Sequence, residues 1–313
     1  MASLKELSKK GDVLSGGHRL CQGCGASIIV HQVLQVVNNP VVIAVATGCL
    51  EVSSTIYPET AWRASFIHNA FENVASTLSG VETACRSLKK QGRLSANFDF
   101  IAFGGDGGSY DIGLQSLSGA MERGHKLLYI CYDNGAYMNT GIQRSSATPY
   151  GASTTTTPAG KSIPGKMHYR KELTDIIAAH NIPYAAQTAP YYWKDLTSKV
   201  KKALEVDGPS FINVLSVCPR GWRTAEERGM ELSKLAVETR FWPMYEVENG
   251  KYHLTHQPRK QRPVVDWLKP QGRFKHLFVE ENKGMIDDIQ KYVDQRWEKL
   301  LFLSKELENT GNK

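Results

Sequence analysis

Four of the six cysteines in this sequence stand where their thiolates could share one metal centre. Cys21 and Cys24 form a CxxC pair in HRLCQGCG, and two intervening residues allow both sulfur atoms to reach one ion or cluster. Cys49 in ATGCLE and Cys218 in SVCPRGW each follow an apolar segment that is typical of a buried strand. The spacing of these cysteines is compatible with a tetrahedral zinc ion and with a [4Fe–4S] cluster, and it does not distinguish the two.

A second candidate site combines glycines with an acidic residue. Gly105, Asp106, Gly107 and Gly108 follow an apolar segment and precede a helical pattern. Glycines let the backbone approach a phosphate closely, and the first N–H groups of a helix are free to bind an anion. The carboxylate fits this interpretation if a divalent cation bridges it to the phosphate, because Mg²⁺ is usually held by one or two protein oxygens and by the phosphates of its ligand.

Asn134 follows the next apolar segment along the chain, in YDNGAY. The interval between Gly107 and Asn134 is long enough for one helix and a return strand, so Asp106 and Asn134 should leave the ends of adjacent strands. Two oxygen ligands would then converge at one edge of a sheet. A Gly-Asp-Gly turn alone occurs in many surface turns, and the Asn after the next strand makes the pattern more specific.

The segments that must position these residues alternate between strand and helix. Apolar runs bounded by Gly, Asn or Pro predict buried strands at 41–46, 100–103, 127–132 and 211–217. Helical spacing predicts helices at 27–37, 71–88, 112–123, 171–180 and 193–204. This alternation predicts an α/β fold with a mostly parallel sheet, helices on both faces and ligands at the carboxyl ends of the strands. Cys85 and Cys131 lie inside predicted elements and are expected to be ordinary core residues.

Two parts of the chain break the alternation. Residues 137–166 are rich in Thr, Ser, Gly and Pro, and a polar loop of this length predicts a lid or a segment that lies against a partner. A disordered surface loop is the alternative. After Cys218 the pattern becomes irregular and predicts an extended arm followed by a final helix at 286–307.

The composition excludes several classes of protein. With 313 residues, 41% of them hydrophobic, the chain can bury a sizeable core and needs no disulfide framework. The net charge of +7 favours a solvated surface over a patch for an acidic partner, and nucleic acid is disfavoured because no binding motif accompanies the charge. No apolar run approaches the ~20 residues of a membrane helix, and the first residues lack a signal peptide's apolar core. We expect a soluble, cytoplasmic protein, in which grouped cysteines bind metal more often than they form disulfides.

Five segments together resemble the β subunits of the 2-oxoacid:ferredoxin oxidoreductase family, and in particular those of pyruvate:ferredoxin oxidoreductases (pyruvate synthases) built from several separate chains. They are HRLCQGCG, ATGCLE, GGDGGSYDIGLQSLSGAMERG, YDNGAYMNTGIQRSSATPYGASTTTTPAGK and VCPRGW. The resemblance covers about residues 16–276. It implies a thiamine diphosphate-binding fold, with a thiamine diphosphate- and iron–sulfur-binding domain over residues 1–220. A C-terminal extension over residues 221–313 would pack on that domain and on partner subunits.

The resemblance also implies which residues form the site. The ligands of the [4Fe–4S] cluster nearest the thiamine would be Cys21, Cys24, Cys49 and Cys218. The ligands of Mg²⁺ would be Asp106, the Asn134 side chain and the Ala136 carbonyl. The diphosphate would lie among Gly105, Asp106, Gly107, Gly108, residues 134–139 including Tyr137, and the backbone near Cys49. Asn139 matches an active-site asparagine that contacts the substrate or the cofactor-bound intermediate. Relatives with one long chain have Glu where this sequence has Ala26, so no cofactor contact is expected from that position.

The implied activity is the coenzyme A-dependent oxidative decarboxylation of a 2-oxoacid, with electrons passed through the cluster to ferredoxin. Pyruvate is the favoured substrate, and oxalate, a branched-chain 2-oxoacid and 2-oxoglutarate are alternatives. Oxalate would need no coenzyme A. Thiamine activation also requires a carboxylate from a related domain that this sequence does not contain. The active site is therefore expected at an interface with an α subunit, and γ- or δ-type subunits would complete the complex.

Two other functions and one residue stay open. The chain could be a non-enzymatic, zinc-binding protein that recruits acidic partners, or a thiamine decarboxylase or synthase without redox chemistry. His68, in FIHNAFEN, could be a catalytic base or a structural residue. The structural interpretation is favoured, because the sequence identifies no partner for the imidazole.

Overall fold

The computed structural model describes residues 3–160 and 162–310. Its described residues form one eight-stranded sheet in the order β2-β1-β3-β4-β6-β5-β7-β8. The strands are β1 (Val41–Ala46), β2 (Ser65–Asn69), β3 (Asp99–Gly105), β4 (Leu128–Asp133), β5 (Tyr184–Thr188), β6 (Ser210–Leu215), β7 (Tyr245–Glu248) and β8 (Lys251–Leu254). The first six are parallel, whereas β7 is antiparallel to β5 and β8 is antiparallel to β7.

Helices cover both faces of the sheet. They are α1 (Leu4–Leu7), α2 (Gly25–Leu34), α3 (Cys49–Ser54), α4 (Val74–Lys90), α5 (Leu114–Glu122), α6 (Leu173–Ala178), α7 (Trp193–Glu205), α8 (Pro219–Trp222), α9 (Gly229–Glu238), α10 (Val265–Leu268) and α11 (Lys283–Thr310). Alternate strand residues point to opposite faces. Ile43 and Val45 pack with α2 and α7, and Val42 and Ala44 pack with α4, α5 and α6. The predicted α/β fold with a mostly parallel sheet is confirmed.

The sequence predicted four of the strands and missed the others. β1, β3, β4 and β6 correspond to the predicted runs, although β3 continues into Gly104 and Gly105 and β6 ends at Leu215 rather than at residue 217. β2 was missed because it is a short edge strand whose residues are partly exposed, so it has no continuous apolar run. β5 was missed because Ala185 and Ala186 at its centre have low strand propensity, and the strand is held by its neighbours on both sides.

The long polar segment at 137–166 is ordered and partly buried, so the alternative of a disordered surface loop is wrong for its described residues. Ser145, Thr148 and Thr154 are each less than 5% exposed. Lys166 is also buried, and its Nζ donates to Thr148 O at 2.6 Å. The Ser145 hydroxyl donates to Asp106 Oδ2 and the Thr148 hydroxyl to Gly135 O, and these contacts hold the segment against the carboxyl edge of the sheet.

The segment after Cys218 builds a third core and adds the last two strands. Trp222, Trp242, Trp267 and Phe274 pack together in this core. The final helix, α11, spans the predicted 286–307 and extends beyond it at both ends. The domain division at residue 220 stays a prediction. No helix in the described part of the chain is long and apolar enough to cross a membrane.

Candidate cofactor and metal site

A cavity opens at the carboxyl ends of β1, β3 and β4, where the fold predicts ligand binding. Its lining comprises Thr47, Gly48, Cys49, Phe71, Gly105, Asp106, Gly107, Gly108, Tyr132, Asn134, Ala136, Tyr137, Met138, Asn139 and Thr140. Gly105 pairs in register with Tyr132, so the turns that follow β3 and β4 are adjacent. The structure thus brings together the two turns that the sequence placed at neighbouring strand ends.

The turn after β3 is closely packed by an aromatic ring from the turn after β4. A Cβ atom on Gly107 would lie only 2.3 Å from Cε1 of Tyr137, so glycine is required there. The Tyr137 hydroxyl donates to Gly107 O at 3.0 Å. A wide helical turn, Gly107–Asp111, follows and leads into α5. Free N–H groups at this turn can bind an anion in the cavity.

Asp106 is fully buried between the two turns. Its Oδ1 accepts from Asn134 N at 3.2 Å, and its Oδ2 accepts from the Ser145 hydroxyl at 2.5 Å. Burial, and then the nearby Asp133 carboxylate, raise the pKa of Asp106. A divalent cation at this place would reverse that effect by stabilising the ionised carboxylate.

The Asp106 carboxylate, the Asn134 side-chain amide and the Ala136 carbonyl converge at one place. One end of the Asn134 side-chain amide lies 2.8 Å from Ala136 O and 2.9 Å from Asp106 Oδ1. An octahedral Mg²⁺ ion with ligands at about 2.1 Å holds neighbouring oxygens about 3.0 Å apart, so this spacing fits the cation when the amide oxygen faces it. In a cation-free site, exchanging the amide oxygen and nitrogen lets the nitrogen donate to both other oxygens.

A buried hydroxyl in the cavity lining also lacks a partner. Tyr132 is 2% exposed, and its Oη makes no hydrogen bond within residues 3–160 and 162–310. The hydroxyl lies 2.9 Å from the position that a Cβ on Gly48 would take, beside Cys49. A buried hydroxyl normally has a partner, so a bound group in this cavity would satisfy it.

Residues from the polar segment hold the Asp106 turn in place, and sequence reasoning did not single them out. The Thr148 hydroxyl donates to Gly135 O at 2.7 Å and accepts from Ser145 N at 2.9 Å. Lys166 in turn donates to Thr148 O. The only sequence signal was the length and polarity of the segment, which did not distinguish its individual residues.

A buried network fixes the residue before Asn134. Asp133 pairs with Arg170 through Oδ2, and the same oxygen accepts from the Tyr110 hydroxyl at 2.6 Å. Asn213 Nδ2 donates to that hydroxyl at 2.7 Å. On the other side, Trp222 Nε1 donates to Asn134 O at 2.7 Å. The orientation of the turn after β4 is therefore held by side chains from four other segments.

The four candidate cysteines lie near the same edge of the sheet as free thiols. Gly25, directly after Cys24, donates its N–H to Val217 O at 3.0 Å, which places Cys24 and Cys218 on adjoining segments. Burial raises the pKa of Cys49 to about 12, with further contributions from Cys218, Cys24 and Cys21 in that order. The thiols thus influence one another. Within the described ranges, however, no three or more His, Cys, Asp or Glu side chains are close enough to hold a metal ion, so cluster binding stays a prediction.

Three further residues have defined positions. His68 has a partner that the sequence did not reveal, because its Nδ1 contacts the carboxylate of Glu51, which is 3% exposed. Asn139 is exposed and lines the cavity. Ala26 is buried within α2.

Comparison with known proteins identifies the relatives of this chain. Residues 46–214 match the family model described as thiamine pyrophosphate enzyme, C-terminal TPP binding domain. Pyruvate synthase subunit PorB of Thermotoga maritima is 53% identical over 96% of this chain and 95% of its own length. PorB of Methanocaldococcus jannaschii is 52% identical over 90% of this chain and 93% of its own length. Ketoisovalerate oxidoreductase subunit VorB of Pyrococcus abyssi is 43% identical over 92% of this chain and 92% of its own length.

A solved structure supports the fold. The 2-oxoglutarate:ferredoxin oxidoreductase of Magnetococcus marinus matches with a TM-score of 0.55 and 19% identity, over 69% of this chain and 77% of that chain. The resemblance predicted from the sequence is confirmed by these relatives. The chain belongs to the family of the PorB β subunits of 2-oxoacid:ferredoxin oxidoreductases, within the thiamine pyrophosphate enzymes.

Proposed function

We propose that this chain is the β subunit of a pyruvate:ferredoxin oxidoreductase that binds thiamine diphosphate, Mg²⁺ and the proximal [4Fe–4S] cluster. The observation that carries the proposal is the convergence of the Asp106 carboxylate, the Asn134 amide and the Ala136 carbonyl in a cavity at the carboxyl edge of the sheet. The proposed reaction is the coenzyme A-dependent oxidative decarboxylation of a 2-oxoacid, with electrons passed to ferredoxin.

The chain's residues have distinct roles in this proposal. Asp106 Oδ1, the Asn134 amide oxygen and Ala136 O hold Mg²⁺, and N–H groups of the turn at Gly107–Asp111 bind the diphosphate. Asn139, exposed at the cavity, contacts the substrate. Bound thiamine diphosphate supplies the electron sink that decarboxylation of a 2-oxoacid requires.

The cluster is proposed to lie between Cys21, Cys24, Cys49 and Cys218. The hydrogen bond from Gly25 N to Val217 O, which joins the segments that carry Cys24 and Cys218, supports their assignment to one centre. Metal binding requires the thiolate form. Burial raises the pKa of Cys24, Cys49 and Cys218, and the positive charge of a bound iron centre would offset this effect.

Pyruvate is the proposed substrate because the T. maritima and M. jannaschii relatives named for pyruvate are 53% and 52% identical, above the 43% of the ketoisovalerate relative. A branched-chain 2-oxoacid is the second candidate, supported by the VorB relatives. Other PorB relatives also fall to 43%, so identity alone separates the two substrates weakly.

The proposed complex contains an α subunit, which supplies the missing carboxylate for thiamine activation, and γ- or δ-type subunits. Residues 221–313 are proposed to contact these subunits as well as the cofactor-binding domain. Ferredoxin is the proposed electron acceptor, and the cytoplasm is the proposed compartment.

Anaerobic purification of the native complex tests the proposal. We expect thiamine diphosphate and iron equivalent to one [4Fe–4S] cluster for each copy of this chain, in addition to the clusters of other subunits. Ferredoxin reduction should require coenzyme A and should be faster with pyruvate than with ketoisovalerate, oxalate or 2-oxoglutarate. Zinc bound to this chain, with all of the iron accounted for by the clusters of the other subunits, would refute the cluster. Activity with oxalate and without coenzyme A would refute the substrate.

A further inference from the structure

A basic groove lies between the C-terminal segment and the turn that follows β5. Its walls are α9, Tyr192 and residues 256–263, which connect β8 to α10, and its volume is about 740 Å³. Its lining includes four cationic side chains but only two acidic ones, namely Lys234, Arg259, Lys260, Arg262, Glu238 and Asp266. The groove shares no lining residue with the cofactor cavity. It therefore presents positive charge that the proposed cofactor site does not use.

The ion pairs inside the groove leave two of its cations without a carboxylate partner. Arg262 contacts the two acidic side chains of the groove at 2.8 and 3.5 Å, and Lys234 contacts Glu238 at 3.6 Å. Arg259 and Lys260 are exposed, and no carboxylate within residues 3–160 and 162–310 lies within 4 Å of their charged nitrogens. These two side chains are therefore available to carboxylates of another chain.

The segment that carries these two cations is anchored at both ends. Thr255 N donates to Met244 O at 3.1 Å before it, and Arg262 N donates to Glu238 O at 3.3 Å after it. Between these anchors, residues 256–261 form no hydrogen bond with other backbone groups of the described chain. The segment is thus held in place, while its N–H and C=O groups can pair with the backbone of another extended chain, as in strand addition.

The groove suits a polypeptide better than a nucleic acid. The two acidic side chains among its cations would repel a phosphate backbone, which carries a charge at every nucleotide. A polypeptide can place its carboxylates beside the unpaired cations alone, and only a polypeptide can extend the backbone pairing. The rings of Tyr192 and His256, whose centres lie 4.7 Å apart, give its apolar side chains a surface to contact.

We propose that the basic groove binds an extended acidic segment of a partner subunit. Carboxylates of that segment pair with Arg259 and Lys260, and its backbone pairs with residues 256–261. This inference rests on the proposed function, in which this chain assembles with other subunits, and it names the chemistry of one contact. Exposed ion pairs are individually weak and are screened by salt, so they contribute mainly to the specificity and rate of association.

Zero-length cross-linking of the native complex tests this contact without any substitution. A carbodiimide joins a lysine amine to a carboxylate that touches it, and in the described residues no carboxylate of this chain is placed to react with Lys260. We expect Lys260 to be linked to an Asp or Glu of another subunit, with a yield that falls at high salt. The link between Lys234 and Glu238, at 3.6 Å, is the internal control for the reaction.

Charge reversal measures how much the two cations contribute. Arg259→Glu combined with Lys260→Glu should weaken the binding of this chain to the remaining subunits by at least about tenfold at low salt, because like charges then face each other. Lys90→Glu combined with Arg93→Glu is the matched control. Both of these residues are exposed near the end of α4, and neither has a carboxylate partner in the described part of the chain. The control should leave the affinity unchanged.

The outcomes separate this inference from the proposed function. If the chain purifies without any other subunit, the proposed assembly is wrong, and the partner segment with it. If the complex forms but Lys260 is not linked to another subunit, or if charge reversal leaves the affinity unchanged, the role of the groove is refuted and the proposed function stands. An equal loss in the control pair would also refute it, since the effect would then follow from net charge. Should the charge-reversed chain not fold, Arg259→Gln combined with Lys260→Gln removes the same charges with a smaller perturbation.

Discussion

Ser145 provides a direct test of the proposed magnesium site. Its hydroxyl is the only hydrogen-bond donor to Asp106 Oδ2 within the described residues, while Oδ1 faces the amide of Asn134. Ser145→Ala removes this donor from a fully buried position and leaves every proposed Mg²⁺ ligand in place. The carboxylate then loses the contact that orients it toward the other oxygens.

The size of the effect follows from the charge of Asp106. A hydrogen bond to an ionised group stabilises by about 1.5–3 kcal/mol. Without a cation, burial and Asp133 favour the neutral carboxyl, whereas the cation requires the ionised form. The lost donor therefore weakens mainly the cation-bound state. We expect the affinity for Mg²⁺ with thiamine diphosphate to fall about 10- to 100-fold, as for other residues that orient metal ligands.

Isothermal titration of the complex, depleted of cofactor and Mg²⁺, measures this affinity. Ser210→Ala is the matched control, because Ser210 is also fully buried and donates to Ala203 O at 2.9 Å from the opposite end of the sheet. An unchanged affinity in folded Ser145→Ala would contradict the reasoning. An equal loss in Ser210→Ala would show that the effect is general destabilisation.

Three further predictions concern other parts of the chain. Burial, and then the charge of Arg144, lower the pKa of Lys166 to about 7, so the unfolded chain binds more protons than the folded chain between pH 7 and about 10. The free energy of unfolding should therefore rise with pH in this window, by up to about 1.4 kcal/mol per pH unit. Denaturant titrations measure this rise, and Lys166→Met should remove it. Cys218→Ser should lower the iron content of the complex and Cys85→Ser should not; equal iron in both variants would exclude Cys218 as a ligand. The isolated chain should show no substrate-dependent ferredoxin reduction, and measurable reduction would place the complete active site on this chain.

The sequence predicted the parts of the site that depend on local pattern. Asp106 and Asn134 were placed together because each follows a continuous apolar strand, and consecutive parallel strands tend to be neighbours. Ser145 and Thr148 were not found because their contacts with Asp106 and Gly135 depend on packing between segments far apart in sequence.

The β7–β8 hairpin determines when the sheet can be completed during synthesis. β5 carries β6 on one side and β7 on the other, and Trp242, just before β7, donates from Nε1 to Thr188 O at 2.8 Å. A nascent chain that ends before Glu248 therefore presents one side of β5 as a row of unpaired backbone groups, which can recruit strands from other chains. Completion of the sheet thus depends on residues 245–254, which are synthesised after all six parallel strands. A chaperone that shields β5 until the hairpin emerges would increase the yield of native subunit.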